Sequence, residues 1–307
     1  IFLLFFRKNS CYTESVQHRL QKTSKKVNII LYLSSFLFSK ETVTNPNVYP
    51  YNVFAGKGEC ILVFAPITIL YGSNASGKST ILNIMAGKLG LKGQEYATSN
   101  KYGRVAYFSK FIEECRYSLG EYENGRQIDR LPPASRYIKS EDILYEIKKI
   151  QQEQVLCDGY VYEHIRRGMA KEQRQIFQES HETRQNLECL KYAQEKYSNG
   201  ETTLQLMDDY LEPDALYLLD EPEVSLSPSN QTALAEKLNR MARFLGCQFV
   251  IATHSPFMLG TLQAKIYNVD SLELQETRWT ELENVRYFFD FFETHRAEFI
   301  RSEKAGF

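Results

Sequence analysis

One stretch constrains the fold of this chain more than any other. Residues 71–80 read Tyr-Gly-Ser-Asn-Ala-Ser-Gly-Lys-Ser-Thr, which contains the G-x-x-x-x-G-K-S pattern of a phosphate-binding loop. An apolar run of strand type precedes it at 61–70, and a helical pattern with apolar residues at Ile81, Leu82 and Met85 follows it. Strand, glycine loop and helix are the context that the motif requires, so the sequence predicts an α/β fold around a polyphosphate site.

The loop has a specific physical role for each residue type. Gly72 and Gly77 permit a backbone geometry and a close approach that a side chain would obstruct. Consecutive backbone N–H groups form a nest for phosphate, and the following helix adds the positive end of its dipole. We expect Lys78 to reach the β- and γ-phosphates and the Ser79 hydroxyl to ligate Mg²⁺. The predicted nucleotide-binding residues of the loop are Gly72, Ser73, Asn74, Ala75, Ser76, Gly77, Lys78, Ser79 and Thr80.

Length and charge set further bounds. With 307 residues the chain is long enough for one large α/β domain or for such a domain with an inserted lobe. The formal net charge of −1 gives no whole-molecule signal for nucleic-acid binding. The first forty residues differ, because basic side chains predominate there. We interpret 1–26 as a leader that is disordered or not native, with an arm that touches nucleic acid or anionic lipid as the alternative.

The sequence also bears on the compartment. The apolar runs at 1–6 and 29–38 are too short to span a bilayer. Basic residues follow the first run instead of preceding it, which is the wrong order for a secretory signal. The six cysteines form no C-x-x-C pair, which indicates reduced, mostly structural thiols. We therefore expect a soluble cytoplasmic protein.

A second apolar stretch, at 215–219, ends in two acids. Such a run is typical of a buried central strand, and it places Asp220 and Glu221 at the sheet edge where open α/β sheets bind ligands. We expect Asp220 to bind Mg²⁺ and Glu221 to orient or deprotonate the attacking water. A polar cap on a buried strand would account for either acid alone, but not for Leu-Leu-Asp-Glu-Pro downstream of a phosphate loop.

A third apolar stretch, at 249–253, leads to His254. A lone histidine at a strand end is usually structural, but delivery to the same edge favours contact with the γ-phosphate or the water. Ser198 and Gly200 precede a predicted helix at 203–211, and a helix N-terminus of this kind makes an anion site. A second anion site is most useful when another subunit supplies it.

Several positions have two interpretations each. Ser140 or Glu141 follows a predicted strand and is a candidate for contact with the metal or the attacking water, although an N-cap role is favoured for Ser140. Tyr49 and Tyr51 either offer an aromatic face to an adenine ring or pack a surface loop. The aromatic run at 285–292 predicts a helix that packs on the sheet, with a protein-partner surface as the alternative.

The remaining patterns complete the predicted organisation. A polar, mobile loop is expected at 113–133. The further predicted strands are 27–38, 104–108, 136–139, 265–270 and 272–279. The predicted divisions are the leader 1–26, an N-terminal part of the core at 27–142, a helical lobe at 143–211 and a C-terminal part of the core at 212–307.

The motifs taken together carry a family resemblance. In the order Walker A, signature, Walker B, D-loop and H-loop, their pattern resembles the ABC ATPase superfamily; the matching segments are 72–80, 198–201, 220–221, 225–228 and 254. The sequences of 217–228 and 251–256 are most similar to those of small stand-alone bacterial AAA family ATP-binding proteins. These proteins are related to the ATPase heads of the RecF, SMC and overcoming-lysogenization groups.

The resemblance implies a function and an assembly. It implies an ATPase with ATP and Mg²⁺ as cofactors, and a mostly parallel sheet with an antiparallel β portion and an inserted helical lobe. It also implies a head-to-tail homodimer in which Ser198 and Gly200 contact the partner's γ-phosphate and Ser225 lies at the seam. Lys78, Glu221 and His254 would then be the catalytic residues, and Glu141 a further metal ligand.

The biological role has two interpretations. A DNA-related or defence role, with DNA or a nuclease as partner, is favoured. The alternative is an ATPase subunit that energises a membrane permease. The signature here is Tyr-Ser-Asn-Gly-Glu at 197–201, and no clear glutamine follows a strand where transporters have one. Both departures weaken the transporter interpretation.

Overall fold

The computed structural model describes residues 31–45, 47–57, 60–95, 107–122, 125–145, 199–271 and 273–304. The predicted leader 1–26, Ser198 and most of the predicted helical lobe lie outside the described residues. Within the described ranges, no helix is both long enough and apolar enough to span a bilayer. The predicted divisions of the chain stay predictions.

The described part contains nine strands and eight α-helices, and a further helix begins at residue 140. The strands are β1 (Leu33–Leu37), β2 (Ile61–Val63), β3 (Ile67–Tyr71), β4 (Arg116–Leu119), β5 (Arg136–Lys139), β6 (Leu216–Asp220), β7 (Gln248–Ala252), β8 (Lys265–Asn268) and β9 (Gln275–Glu276). The helices are α1 (Tyr51–Phe54), α2 (Lys78–Leu89), α3 (Tyr107–Glu114), α4 (Asn199–Tyr210), α5 (Pro228–Phe244), α6 (Pro256–Thr261), α7 (Glu283–Thr294) and α8 (Arg296–Lys304). A 3₁₀ turn, Trp279–Glu281, precedes α7.

A six-stranded sheet is the centre of the fold. Its strand order is β5-β6-β7-β3-β8-β9, and every pairing is parallel except that of β8 with β9. The register aligns the last residues of β5, β6 and β7 with the second-last residue of β3: Lys139 pairs with Asp220, Asp220 with Ala252, and Ala252 with Leu70. The segments that follow these strands therefore begin at the same edge of the sheet.

The alternation of side chains divides the core between the two faces of this sheet. On one face, Leu218 and Val250 pack in a cluster with Ile81, Leu82 and Met85 of α2. On the other face, Leu219 and Ile251 pack in a second cluster, which includes Leu234, Leu238 and Met241 of α5. Strands β3, β6 and β7 are buried along their whole length, as expected for central parallel strands. The helix that follows the phosphate loop is thus fixed by burial of its own apolar side chains.

A smaller antiparallel sheet, in the order β2-β1-β4, joins the first face. One link to the large sheet is the side chain of Gln248, which is completely buried at the start of β7. The Gln248 amide accepts a hydrogen bond from the Leu33 N–H and donates one to the Leu33 carbonyl, both at 2.8 Å. One side chain therefore makes the two bonds that a neighbouring strand would make.

The predicted fold class is confirmed: the chain is α/β, with a mostly parallel sheet and an antiparallel β portion. The prediction of a strand at 104–108 is wrong at Tyr107 and Phe108, which begin α3. Phe108 and Phe111 are buried on one face of this helix, at the spacing of a helical turn. A window of five residues is too short to show that period.

Two further predictions need correction. The predicted loop at 113–133 contains β4, an edge strand of four residues whose first three are exposed. A strand this short and this exposed gives only a weak signal in the sequence. The aromatic run at 285–292 is helical, but its aromatic side chains are exposed instead of packing on the sheet. Val285 is buried, whereas Tyr287, Phe289 and Phe292 are more than half exposed.

Replacement of the buried amide tests the link between the sheets. Gln248→Leu keeps the volume but removes both bonds to Leu33, so the free energy of unfolding is expected to fall by about 2–4 kcal/mol. Urea unfolding followed by circular dichroism measures it. The exposed Gln263 provides the control, and Gln263→Leu is expected to change the value by less than about 0.5 kcal/mol. Equal effects of the two variants would contradict the role assigned to Gln248.

Candidate functional site

The phosphate loop connects β3 to α2 at the edge of the large sheet. Ala75 and Gly77 have positive φ angles of 64° and 97°. A Cβ on Gly77 would lie 2.4 Å from a methyl carbon of Val53, so this position requires glycine for space as well as for φ. The backbone N–H groups of the first helical turn have no residue before them in the helix to bond to. The loop is therefore shaped to receive an anion.

Lys78 begins α2 and is almost completely buried. Its ammonium group donates hydrogen bonds to the carbonyl oxygens of Gly72 and Ser73, both at 2.9 Å. The side chain thus folds back over the loop, and its charge lies where the loop closes. This position agrees with the predicted role in phosphate binding, which stays a prediction.

Asp270 is a residue of this site that the sequence analysis missed. It follows β8, and its carboxylate accepts hydrogen bonds from the Ser73 N–H at 2.7 Å and from the Ser73 hydroxyl at 2.9 Å. The loop is thereby fastened to a segment nearly two hundred residues away. No local pattern around Asp270 signals this contact. The contact follows from the pairing of β8 with β3, and this pairing is known only from the structure.

Asp220, at the end of β6, shares a sheet face with Leu218 and points to the side on which α2 packs. It is 7 % exposed. One carboxylate oxygen, Oδ2, accepts a hydrogen bond from the Tyr137 hydroxyl at 3.0 Å. The other, Oδ1, is buried and has no hydrogen-bond partner among the described residues. A buried carboxylate oxygen without a partner is costly unless a cation completes its environment.

The surroundings of Asp220 act on its pKa in opposite directions. Burial raises the pKa and is the largest effect; the hydroxyls of Ser79 and Tyr137 and the Lys78 ammonium lower it, and the Glu221 carboxylate raises it. The net result is a pKa above the ordinary value. Burial, followed by the charge of Asp220, also raises the pKa of Tyr137, which therefore stays a neutral donor.

Glu221 and His254 lie next to each other beyond the ends of β6 and β7. The Glu221 N–H donates to the Ala252 carbonyl at 2.9 Å, and Glu221 has a positive φ of 47°. Positive φ is unfavourable for a glutamate and is found most often at functional sites. The His254 Nδ1 atom is 3.5 Å from Glu221 Oε1. Both side chains are partly exposed, Glu221 at 31 % and His254 at 45 %, so that water can reach them.

A second acid beside this pair, Glu223, was also missed. Its side chain is 5 % exposed, and Oε1 accepts hydrogen bonds from the Thr253 hydroxyl and from the His254 N–H, the latter at 3.2 Å. Burial raises the pKa of Glu223. These bonds tie the turn after β6 to the turn after β7, so Glu223 holds the backbone that carries His254. A second glutamate two residues after Glu221 was the available signal.

Four predicted site residues are not brought together with this centre in the described part of the chain. Glu141 is exposed in the first turn of the helix that starts at residue 140, and Tyr137, not Glu141, bonds to Asp220. Ser198 lies outside the described residues, and Gly200 belongs to the first turn of α4. Ser225 is exposed and has a φ of 68°. The roles of all four stay predictions.

The two candidate aromatic residues differ in availability. Tyr51 is buried, and its hydroxyl donates to Glu114. Tyr49 is 47 % exposed, and its hydroxyl is 3.4 Å from the Thr80 hydroxyl in the first turn of α2. One face of its ring stacks on Phe108 with a centroid distance of 5.7 Å. Tyr49 is thus held beside the phosphate loop, whereas Tyr51 is part of the core.

The donor set fits a Mg²⁺–polyphosphate ligand. Hard cations such as Mg²⁺ take oxygen ligands, and Asp220 Oδ1 is a buried oxygen with no protein partner in the described part of the chain. The Ser79 hydroxyl, which lowers the pKa of Asp220, is a second oxygen near this carboxylate. The loop supplies backbone N–H groups and the Lys78 charge for an anion. The residues therefore match both halves of the ligand.

Comparison with solved structures finds remote likeness to two groups. The Smc head domain of Pyrococcus furiosus, bound to the C-terminal domain of ScpA, has 12 % identity and a TM-score of 0.39, covering 86 % of this chain and 99 % of that one. The SMC head of Thermotoga maritima has 14 % identity and a TM-score of 0.37, covering 81 % and 99 %. An ATP-binding cassette, a dimer in a post-hydrolysis state with ADP and Pi, has 15 % identity and a TM-score of 0.38, covering 81 % and 100 %.

No curated protein matches the chain. A family model does: the one described as "AAA domain, putative AbiEii toxin, Type IV TA system" matches residues 106–260, which is just over half of the 307 residues. The matched range includes Asp220, Glu221, Glu223 and His254, and the predicted resemblance to AAA family proteins is confirmed. The chain therefore belongs to this family of AAA domains.

Proposed function

We propose that this chain is a Mg²⁺-dependent ATPase that converts ATP and water to ADP and phosphate, and that it works as a nucleotide-sandwich dimer. One observation carries the proposal. Three neighbouring strands of a single sheet bring together the phosphate loop with Lys78, the Asp220 carboxylate and the Glu221–His254 pair. Among the described residues, Asp220 Oδ1 has no hydrogen-bond partner. Membership in an AAA family supports the same reaction class.

The loop and its neighbours bind the nucleotide. The N–H groups at the start of α2 face the β-phosphate, and the Lys78 ammonium exchanges a loop carbonyl for a phosphate oxygen. The exposed face of Tyr49 is available to the adenine ring, since the other face already rests on Phe108. Asp220 and Ser79 would hold Mg²⁺, which would supply positive charge next to the phosphate oxygens.

Glu221 and His254 act on the attacking water. The Glu221 carboxylate accepts a hydrogen bond from the water, aligns it with the γ-phosphorus and takes its proton. His254, 3.5 Å from that carboxylate, is placed to donate to the γ-phosphate. Glu223 holds the His254 backbone in position. Positioning and charge stabilisation therefore account for the catalysis.

The dimer completes a site that one chain leaves open. Glu221 and His254 are partly exposed, which leaves the γ-phosphate side of the site accessible to solvent. In the proposed arrangement, Ser198 and Gly200 of a second copy cover this side. Gly200 lies in the first turn of α4, and the first N–H groups of a helix have no partner within it, so they suit an anion. The exposed, positive-φ residue Ser225 lies at the seam.

Glu221→Gln tests the proposed chemistry. The amide keeps the shape but cannot accept the proton of water, so the rate of ATP hydrolysis is expected to fall by about 10²- to 10⁴-fold, while ATP binding persists. Phosphate release measures the rate, and light scattering after gel filtration, with and without ATP, detects the ATP-dependent association that the variant should trap. Glu236→Gln, a change at an exposed glutamate of α5, is the matched control. Lys78→Ala is expected to lose ATP binding and, with it, the ATP-dependent association; unchanged turnover in Glu221→Gln would refute the role.

Asp220→Asn tests whether the buried, ionised carboxylate of Asp220 lowers the stability of the metal-free protein. Because the folded-state pKa of Asp220 is raised, the ionised carboxylate destabilises the metal-free protein, and stability is lost as the pH rises from the ordinary value of 3.8 through the raised pKa. Without divalent cations, the variant is expected to unfold at a higher temperature than wild type at neutral pH, with a difference that shrinks in acid. Mg²⁺ with ATP should stabilise wild type only. A pH-independent difference would contradict this.

We propose a DNA-related or defence role for the ATPase. The family description names a toxin of a type IV system, which supports defence over transport. If DNA is the partner, the steady-state ATPase rate is expected to rise several-fold when duplex DNA is added, and the stimulation should fall as salt rises because phosphate contacts release counterions. The Lys78→Ala variant is the control for contaminating ATPases. A rate insensitive to DNA, together with co-purification of a membrane permease, would favour the transporter alternative.

A further inference from the structure

Helix α7 exposes an unusual amount of aromatic surface. Tyr287, Phe288, Phe289, Phe291 and Phe292 are exposed by 39 % to 68 % of their area. Phe299 and Ile300 of α8 add further exposed surface at 56 % and 44 %. Since Phe and Tyr side chains present roughly 150–250 Å² each, the patch has an area on the order of 700 Å². The largest apolar patch on a typical monomer is about 300–600 Å².

The patch has a sharp boundary on the helix. Val285, Phe288, Phe289 and Phe292 follow the i, i+3, i+4, i+7 spacing of one helical face, and Tyr287 and Phe291 widen that face on one side. The remaining side carries the charged residues, which pair within the chain: Arg286 with Asp290, and Glu293 with Arg296. The apolar face is therefore a built feature of the helix, not a scatter of exposed side chains.

The base of the helix is firmly attached to the domain. Val285 is buried in the second core cluster. The neighbouring Asn284 is bonded on two sides: its N–H donates to the Tyr71 hydroxyl at 3.2 Å, and its side-chain amide donates to the His254 carbonyl at 3.1 Å. The aromatic face thus starts in the core and continues outwards on a fixed helix. A surface held in this way loses little entropy on association.

We propose that this face, defined as the exposed aromatic residues of α7 with Phe299 and Ile300, docks on the same face of a second copy of the chain. The exposed area of the face favours a second copy of the chain as the occupant. Two such patches would bury about 1,400 Å² together, within the range of about 1,200–2,000 Å² for stable specific interfaces. The charges beside the face already pair along the helices, so the face itself offers no net charge to select a partner of opposite sign. A two-fold interface requires only that the surface match itself.

The contact is independent of nucleotide. It uses none of the residues assigned to ATP, and it forms when the phosphate loop is empty. It therefore differs from the nucleotide-sandwich dimer, and failure of one leaves the other standing. The Asn284 side chain at the base of α7 donates a hydrogen bond to the His254 carbonyl. A copy bound on α7 would therefore help to fix the backbone that carries His254.

The test is the mass of the full chain without nucleotide, by sedimentation velocity at micromolar concentrations. Wild type is expected at the mass of two copies, and Phe289→Glu with Phe292→Glu at the mass of one, with Kd raised at least 100-fold. Lys78→Ala should remain a dimer. The matched control places two glutamates on exposed aromatics elsewhere, Tyr117→Glu with Phe244→Glu, and should also remain a dimer.

A second pair keeps the proposal testable if the first fails to fold. Tyr287→Glu with Phe291→Glu changes the adjacent strip of the face, and its melting temperature and ATP binding report folding. A monomeric wild type would overturn the proposal, and so would a dimer that survives in both folded variants. A wild type that is monomeric but binds a different protein through this face would overturn it equally, because the occupant would not be a second copy.

Discussion

The parallel register of β6, β7 and β3 is the constraint on which the rest of the site depends. These strands are buried throughout, and their pairing brings Asp220, Ala252 and Leu70 to one level. Because each strand turns into its next segment at that level, an acid pair, a histidine and a phosphate loop meet although they are far apart in sequence. A shift by one residue would also exchange the two faces of a strand and expose its core side chains, so packing energy protects the geometry of the site.

Sequence patterns sufficed for the parts of the molecule in which local chemistry and burial agree. Buried strands that end in acids or histidine, together with a glycine loop before a helix, are compatible with few folds, and the predicted sheet with its antiparallel portion is present. Such patterns failed where a residue's surroundings come from distant segments. The helix at Tyr107 depends on packing against Phe54 and Tyr51, and β4 is an edge strand with little to bury. Neither context is visible in a short window.

The site shows the same division between what a motif specifies and what tertiary structure adds. Lys78, Asp220, Glu221 and His254 follow from motifs, whereas their supports do not. Asp270 anchors Ser73, Tyr137 orients Asp220 and Glu223 anchors His254, and each belongs to a different segment. Each of these contacts requires a hydrogen-bonding side chain at the right distance, and either a carboxylate or a hydroxyl can make it. Polar residues outside any motif therefore cannot be assigned to a site from the sequence alone.

The hydrogen bonds of Lys78 to the carbonyls of Gly72 and Ser73 have a consequence for the empty protein. A buried ammonium without partners would cost several kcal/mol, enough to unfold a segment of marginal stability. Here the loop solvates its own lysine, so the cradle keeps its shape when nothing occupies it. In the proposed function, a phosphate of the nucleotide would replace these carbonyl oxygens as the partner of Lys78. The loop would then bind and release nucleotide without refolding.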